Sequence, residues 1–167
     1  MEKPYRSYSG KRNELLYELA DQFLELGKKG FERKTKDFEP QPFASLVNLA
    51  FAAELFLKYL IEENSEKGWG HNLKKLFNKL DENDRNTIYM SLIFSYSQKG
   101  RVDELKNGKM TELLENHSNL FEDFRYLYEN PGRAFKSDKV DFGFLMDFVV
   151  ITKGLCDQRK SDSKKRN

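Results

Sequence analysis

The sequence predicts an all-α fold: an up-and-down bundle of about four main helices with one or two short additional helices. Three observations carry this. Apolar residues recur at helical spacing through most of the 167-residue chain. No segment keeps the alternation and hairpin turns of strands. Glycine, proline and Asp/Asn clusters interrupt the periodic segments at helix-length intervals.

The first helix runs from Asn13 to Lys29, with Leu16, Leu19, Ala20, Phe23 and Leu26 on one stripe and Gly27 and Gly30 marking its end. Phe31 to Pro42 is polar and closes on Glu39-Pro40-Gln41-Pro42, which cannot be continuous helix. Phe43 to Glu63 is apolar nearly all round and belongs in the centre of the fold. Lys67-Gly68-Trp69-Gly70 is the turn after it. Asn72 to Leu80 is a short amphipathic helix, with Leu73, Leu76, Phe77 and Leu80 inward and Lys74, Lys75 and Lys79 outward.

Asp81 to Asp84 supplies caps for the next helix, whose apolar positions are Ile88, Met90, Leu92, Ile93 and Tyr96. Lys99 to Lys109, with two glycines, reads as a loop. Met110 to Glu129 keeps helical spacing through Leu113, Leu114, His117, Leu120, Phe121, Phe124, Leu127 and Tyr128, and Asn130-Pro131-Gly132 stops it. After a loop through Lys139, Asp141 to Gln158 is the last helix. Residues 1–158 form one domain, and 159–167 read as a basic, loose tail that frays in solvent or tethers to phosphate or an acidic partner.

Composition narrows the function classes. With 38% hydrophobic and 34% charged residues the chain is globular, and fourteen Phe and eight Tyr supply an aromatic core. A net charge of +2 excludes nucleic-acid binding driven by bulk charge alone. The single Cys156 rules out an internal disulfide and fits a reducing cytoplasm. Nothing behind Met1 reads as a secretion signal, and the uncharged run Phe43 to Ala53 is too short to span a bilayer, so no membrane partner is expected. Two histidines and one cysteine, far apart, make no zinc set. A Gly-rich phosphate loop and a Gly-x-Ser-x-Gly elbow are both absent, and no cofactor is implied. The aromatic residues repeat at helical spacing, as core does, rather than as a base-stacking platform.

The informative segment is Leu46 to Leu80, where Glu54 and Lys58 stand one turn apart inside an apolar helix. Charges there are costly to bury and stay ionised only when paired and hydrogen-bonded. They are either an intrahelical pair at the core edge or a means by which Glu54 orients a ligand or catalytic group. His71, between Gly70 and a helix, either caps that helix or acts as an acid–base group. His117, on an apolar face, reads as a core histidine with one satisfied nitrogen. Arg125 and Glu129 form a second pair one turn apart, and the Arg125 fork suits a carboxylate such as Glu54, or a phosphate.

Asn48-Leu49-Ala50-Phe51-Ala52-Ala53-Glu54-Leu55-Phe56-Leu57-Lys58, Gly70-His71-Asn72-Leu73-Lys74-Lys75-Leu76 and Phe124-Arg125-Tyr126-Leu127-Tyr128-Glu129 together, in order and spacing, resemble the HEPN superfamily of all-helical domains. The resemblance implies a helical bundle that often dimerises. It further implies either a ribonuclease of toxin–antitoxin or other defence systems, or a non-catalytic RNA- or nucleotide-binding partner, often beside a minimal nucleotidyltransferase. Active members usually carry an arginine, then about four to six intervening residues, then a histidine. Here the positions at that distance are Asn130, Pro131 and Gly132 after Arg125, and Asp138, Lys139 and Val140 after Arg133. The usual metal-independent ribonuclease site is therefore missing.

Three functions follow as expectations. The first is a non-catalytic or divergent module, a cytoplasmic homodimer, that binds RNA, nucleotide or a nucleotidyltransferase-type protein through Glu54, Lys58, His71, Lys74, Lys75, Arg125, Tyr128 and Glu129. In it, Glu54 and Arg125 fix a groove while Lys58, Lys74 and Lys75 face phosphates. The second is a ribonuclease with a non-standard site, His71 as general acid or base, Arg125 stabilising phosphorane charge and Glu54 in support. The third is an interaction module in which the charged pairs are structural.

Overall fold

A computed structural model of the chain describes residues 12–32, 42–64, 67–118, 120 and 140–165. Among these residues there are six α-helices and no strand: α1 (Arg12–Glu32), α2 (Pro42–Glu63), α3 (Leu73–Lys79), α4 (Glu82–Gln98), α5 (Lys109–Asn116) and α6 (Phe142–Lys165). Four are long and two are short, so the all-α bundle is as the periodicity predicts.

The helix α2 is the axis. It buries residues on every side, from Leu46 and Leu49 through Ala52, Ala53, Phe56 and Leu57 to Leu60 and Ile61. That all-round apolarity also makes α2 long and apolar enough to cross a bilayer, but 72% of its most apolar window is buried within the fold. Its pairings with α1 run in opposite senses along the two helices. Arg12 and Asn13 reach Glu62 and Glu63, Tyr17 meets Phe56 and Tyr59 edge-on, Phe23 meets Phe51, and Gly27 and Gly30 abut Leu49 and Ser45. The two helices are therefore antiparallel neighbours. The same reasoning makes α4 and α6 antiparallel, since Lys99 and Ser95 bond to Asp147 at one end and Asp84 to Arg159 at the other.

Several expectations need correction. Gly27 and Gly30 do not end α1, which continues to Glu32. They are contact points. A Cβ on Gly27 would lie 2.8 Å from the buried Leu49 side chain, and one on Gly30 would lie 1.9 Å from Ser45 Oγ. Glycine lets the two backbones approach closely.

Met90 faces solvent at 61% exposure, with Ile88, Leu92 and Tyr96 carrying the core face of α4. The helix expected over 110–129 is interrupted after Asn116; Leu120 is helical again, and residues 121–129 lie outside the described residues. At the interruption the Ser118 hydroxyl donates to Leu114 O, taking the carbonyl that its own amide would use in a continuing helix, and that amide turns to Glu115 O instead. His117 is fully buried, and both ring nitrogens face carbonyls, Nδ1 at 2.6 Å from Leu113 O and Nε2 at 3.0 Å from Asp141 O. Burial pushes its pKa below the usual histidine value, against the pull of those two carbonyls.

The last helix passes Gln158 and runs to Lys165, so the segment read as a loose tail is helical over 159–165. Arg159 anchors it on Asp84, a buried carboxylate in the first turn of α4. Asp81 caps α4 by accepting from Asp84 N at 2.7 Å, as the Asp81–Asp84 pattern predicts. The polar connection before Pro42, and Arg125, Tyr128 and Glu129 with the loop after them, lie outside the described residues.

Candidate functional site

The middle of α2 places Glu54 and Lys58 on one face, one turn apart. Glu54 is 2% exposed, and its Oε1 accepts from Lys58 Nζ at 2.6 Å and from His71 Nδ1 at 3.0 Å. The Lys58 side chain is also largely enclosed, at 13% exposure, while half of the His71 side chain faces solvent. One carboxylate oxygen thus serves two partners from separate elements. A buried carboxylate needs such donors, because leaving it bare forfeits its hydration without return.

The turn that carries His71 is fixed against α2 by a glycine as well. Gly68 is buried, and a Cβ there would stand 2.8 Å from Lys58 Cγ and 3.1 Å from Lys58 Cα. Gly70, at φ +93°, then swings the chain toward α3 in a conformation that disfavours side chains. Asn72 caps α3 by accepting from Lys75 N at 2.9 Å, and Lys74 N donates to Ser118 Oγ at 3.1 Å. Two first-turn amides are thereby satisfied, and the start of this short helix offers no anion site.

Glu54, Lys58 and His71 therefore meet. Lys74 turns aside, its ammonium held by Glu115 of α5. Lys75 is exposed and forms no ion pair among the described residues. Arg125, Tyr128 and Glu129 fall outside the described residues.

Sequence reasoning missed Trp69, which is 65% exposed between the two glycines of the turn. Its signal was present: Lys67 to Lys75 contains three lysines and a histidine, no carboxylate, and the only tryptophan of the chain. Separately, Glu63, Asp84, Asp162 and Arg159 help line a polar cleft of about 490 Å³ between the ends of α2 and α6 and the start of α4. Its three carboxylates outnumber its one cation and repel phosphate, so it does not suit the chemistry of the lysine-rich corner. Among the described residues no group of His, Cys, Asp and Glu is placed to hold a metal ion.

Compared with protein-family models, with curated proteins and with solved structures, the chain finds no match in any of the three.

Proposed function

We propose that this chain is a HEPN-like helical module without the usual ribonuclease site. It binds RNA or a nucleotide at the corner between α2 and α3, and acts as a cytoplasmic homodimer beside a partner protein of a prokaryotic defence or toxin–antitoxin system. The ordered motifs and the missing arginine-to-histidine spacing support the assignment. The observation that carries the binding reading is the shared Glu54 oxygen. It holds Lys58 and the His71 turn together, so a segment rich in lysine and free of carboxylates is fixed on the core before any ligand arrives.

Filter binding of a short single-stranded RNA over a salt series tests this. Affinity should fall steeply with salt, and Lys75→Ala should flatten the slope by about one counterion's worth. Absence of RNA and nucleotide affinity even at low salt would overturn the ligand assignment.

The contact between Glu54 and His71 favours a second reading, a ribonuclease. A carboxylate on Nδ1 is the arrangement that orients an imidazole for general acid–base work. Arg125 would stabilise the charge on the phosphorane. If wild type and His71→Ala leave labelled RNA equally intact, the enzyme reading is lost and the binding reading is untouched.

A further inference from the structure

Exposed apolar side chains occur elsewhere on this fold, at Leu26, Phe43, Met90, Phe94 and Val150. Met90, Phe94 and Val150 line one shallow groove with Asp147, and nothing there indicates what would cover it. Trp69 differs in three respects.

Its backbone is held. Gly68 is wedged on Lys58, Trp69 N bonds to Lys67 O at 3.1 Å, and His71 two residues on is fastened to Glu54. A ring on a fixed turn is presented rather than merely solvated, and ordering it on binding costs little.

Its surroundings are cationic. Lys67 and Lys75 are exposed with no ion pair among the described residues, and the Arg12 guanidinium, itself paired with Glu62, lies over the indole at 6.0 Å from its centroid. Of the nearby acids, Glu62 is paired with Arg12 and Glu54 is buried beneath Lys58 and His71, while Glu63, which accepts from Asn13, keeps its charge and faces the acidic cleft.

Its chemistry is that of a flat, electron-rich face among positive charges, the combination that seats an unpaired base while its phosphate is neutralised.

We propose that Trp69 is the stacking platform for an unpaired base of single-stranded RNA bound at the α2–α3 corner. The proposal rests on the RNA-binding reading above and deepens it, by naming single-stranded RNA as the ligand and the indole face as the place where it is read. Stacking tolerates any base, so the site selects unpaired strands over duplex and shows little sequence preference.

The chain reports on this itself, because Trp69 is its only tryptophan. An oligouridylate of about eight nucleotides, within the range that single-strand binders occupy, is titrated while indole fluorescence is followed, with filter binding in parallel. Saturable quenching with the midpoint of the filter isotherm is expected. Trp69→Ala should weaken binding about five- to 150-fold, the range for a lost base–aromatic stack, and Trp69→Phe should recover much of it. Inorganic polyphosphate, which has charge but no bases, should bind without that quenching.

RNA that binds wild type and Trp69→Ala equally, with fluorescence unchanged, overturns the platform and leaves the RNA-binding reading intact. Equal quenching by polyphosphate also overturns it. So does a fluorescence change on concentrating the protein alone, which would assign the ring to a protein contact. No RNA binding by any method removes the broader reading and the platform with it.

Discussion

Replacing Glu54 with leucine removes a carboxylate that is 2% exposed and holds two donors through one oxygen. Breaking a buried pair by deleting one partner costs about 3–5 kcal/mol, because the surviving charge is left in a poor solvent. Two features reduce that here. Lys58 retains 13% exposure, and its four-carbon stem lets the ammonium edge toward water. His71 is half exposed, so water replaces much of what its contact with Glu54 supplied. The net expectation for Glu54→Leu is roughly 2–4 kcal/mol of destabilisation. In a domain of this size that lowers Tm by about 4–15 °C.

The companion variant makes the cause visible. Adding Lys58→Met to Glu54→Leu removes the stranded charge, and buried pairs exchanged for apolar residues of similar volume are often neutral. The double variant should return to within about 1 kcal/mol of wild type. Urea denaturation followed by circular dichroism measures all three proteins. A single variant as stable as wild type, or a double variant no better than the single, would refute the claim that Glu54 and Lys58 satisfy each other as a buried pair.

Other outcomes follow from the packing. Gly27→Ala gains helix propensity worth about 1 kcal/mol but forces the buried Leu49 aside, and should be destabilising by roughly 1–2 kcal/mol on balance. Gly154→Ala on α6, where a Cβ would meet nothing within 4 Å, should instead stabilise by up to about 1 kcal/mol, and thermal melts of the two distinguish contact from propensity. The Cys156 thiol is fully buried, and that burial pushes its pKa well above the ordinary thiol value, so a disulfide-exchange reagent should label it only after unfolding. Burial holds the pKa of His117 below its unfolded value of about 6.5, so the unfolded chain binds the proton more readily and stability falls as pH drops through that value. Denaturation at about pH 7.5 and about pH 5.5 should show a larger loss for wild type than for His117→Gln.

Much of the fold is legible because its signals are local. The all-round apolarity of α2 and the Asp81 cap of α4 each follow from a handful of adjacent residues, whereas α3 is capped by Asn72 and not by His71. What the sequence hides depends on partners far along the chain. Gly27 and Gly30 look like helix stops until Leu49 and Ser45 are placed against them. The apolar stripe through His117 reads as one helix, since periodicity does not register the Ser118 hydroxyl displacing an amide at Leu114 O. A basic stretch after Gln158 looks loose until Arg159 finds Asp84, seventy-five positions earlier.

The candidate site divides in the same way. The turn between Glu54 and Lys58 is visible in sequence, whereas the placement of His71 on the same oxygen needs the fold. Lys74 looks solvent-facing until Glu115 of α5 is seen to take it. Trp69 is hidden by composition, because among so many core aromatics nothing but its flanking glycines marks it as exposed.

The most direct measurement is an amide NMR titration of the full chain with short single-stranded RNA at low salt. Ligand contact at the α2–α3 corner predicts that the largest shifts fall on residues 67–75, with smaller ones around Glu54 and Lys58 on α2. Shifts confined to another surface, such as the acidic cleft beside Asp84 and Arg159, or no shifts at all, would contradict it.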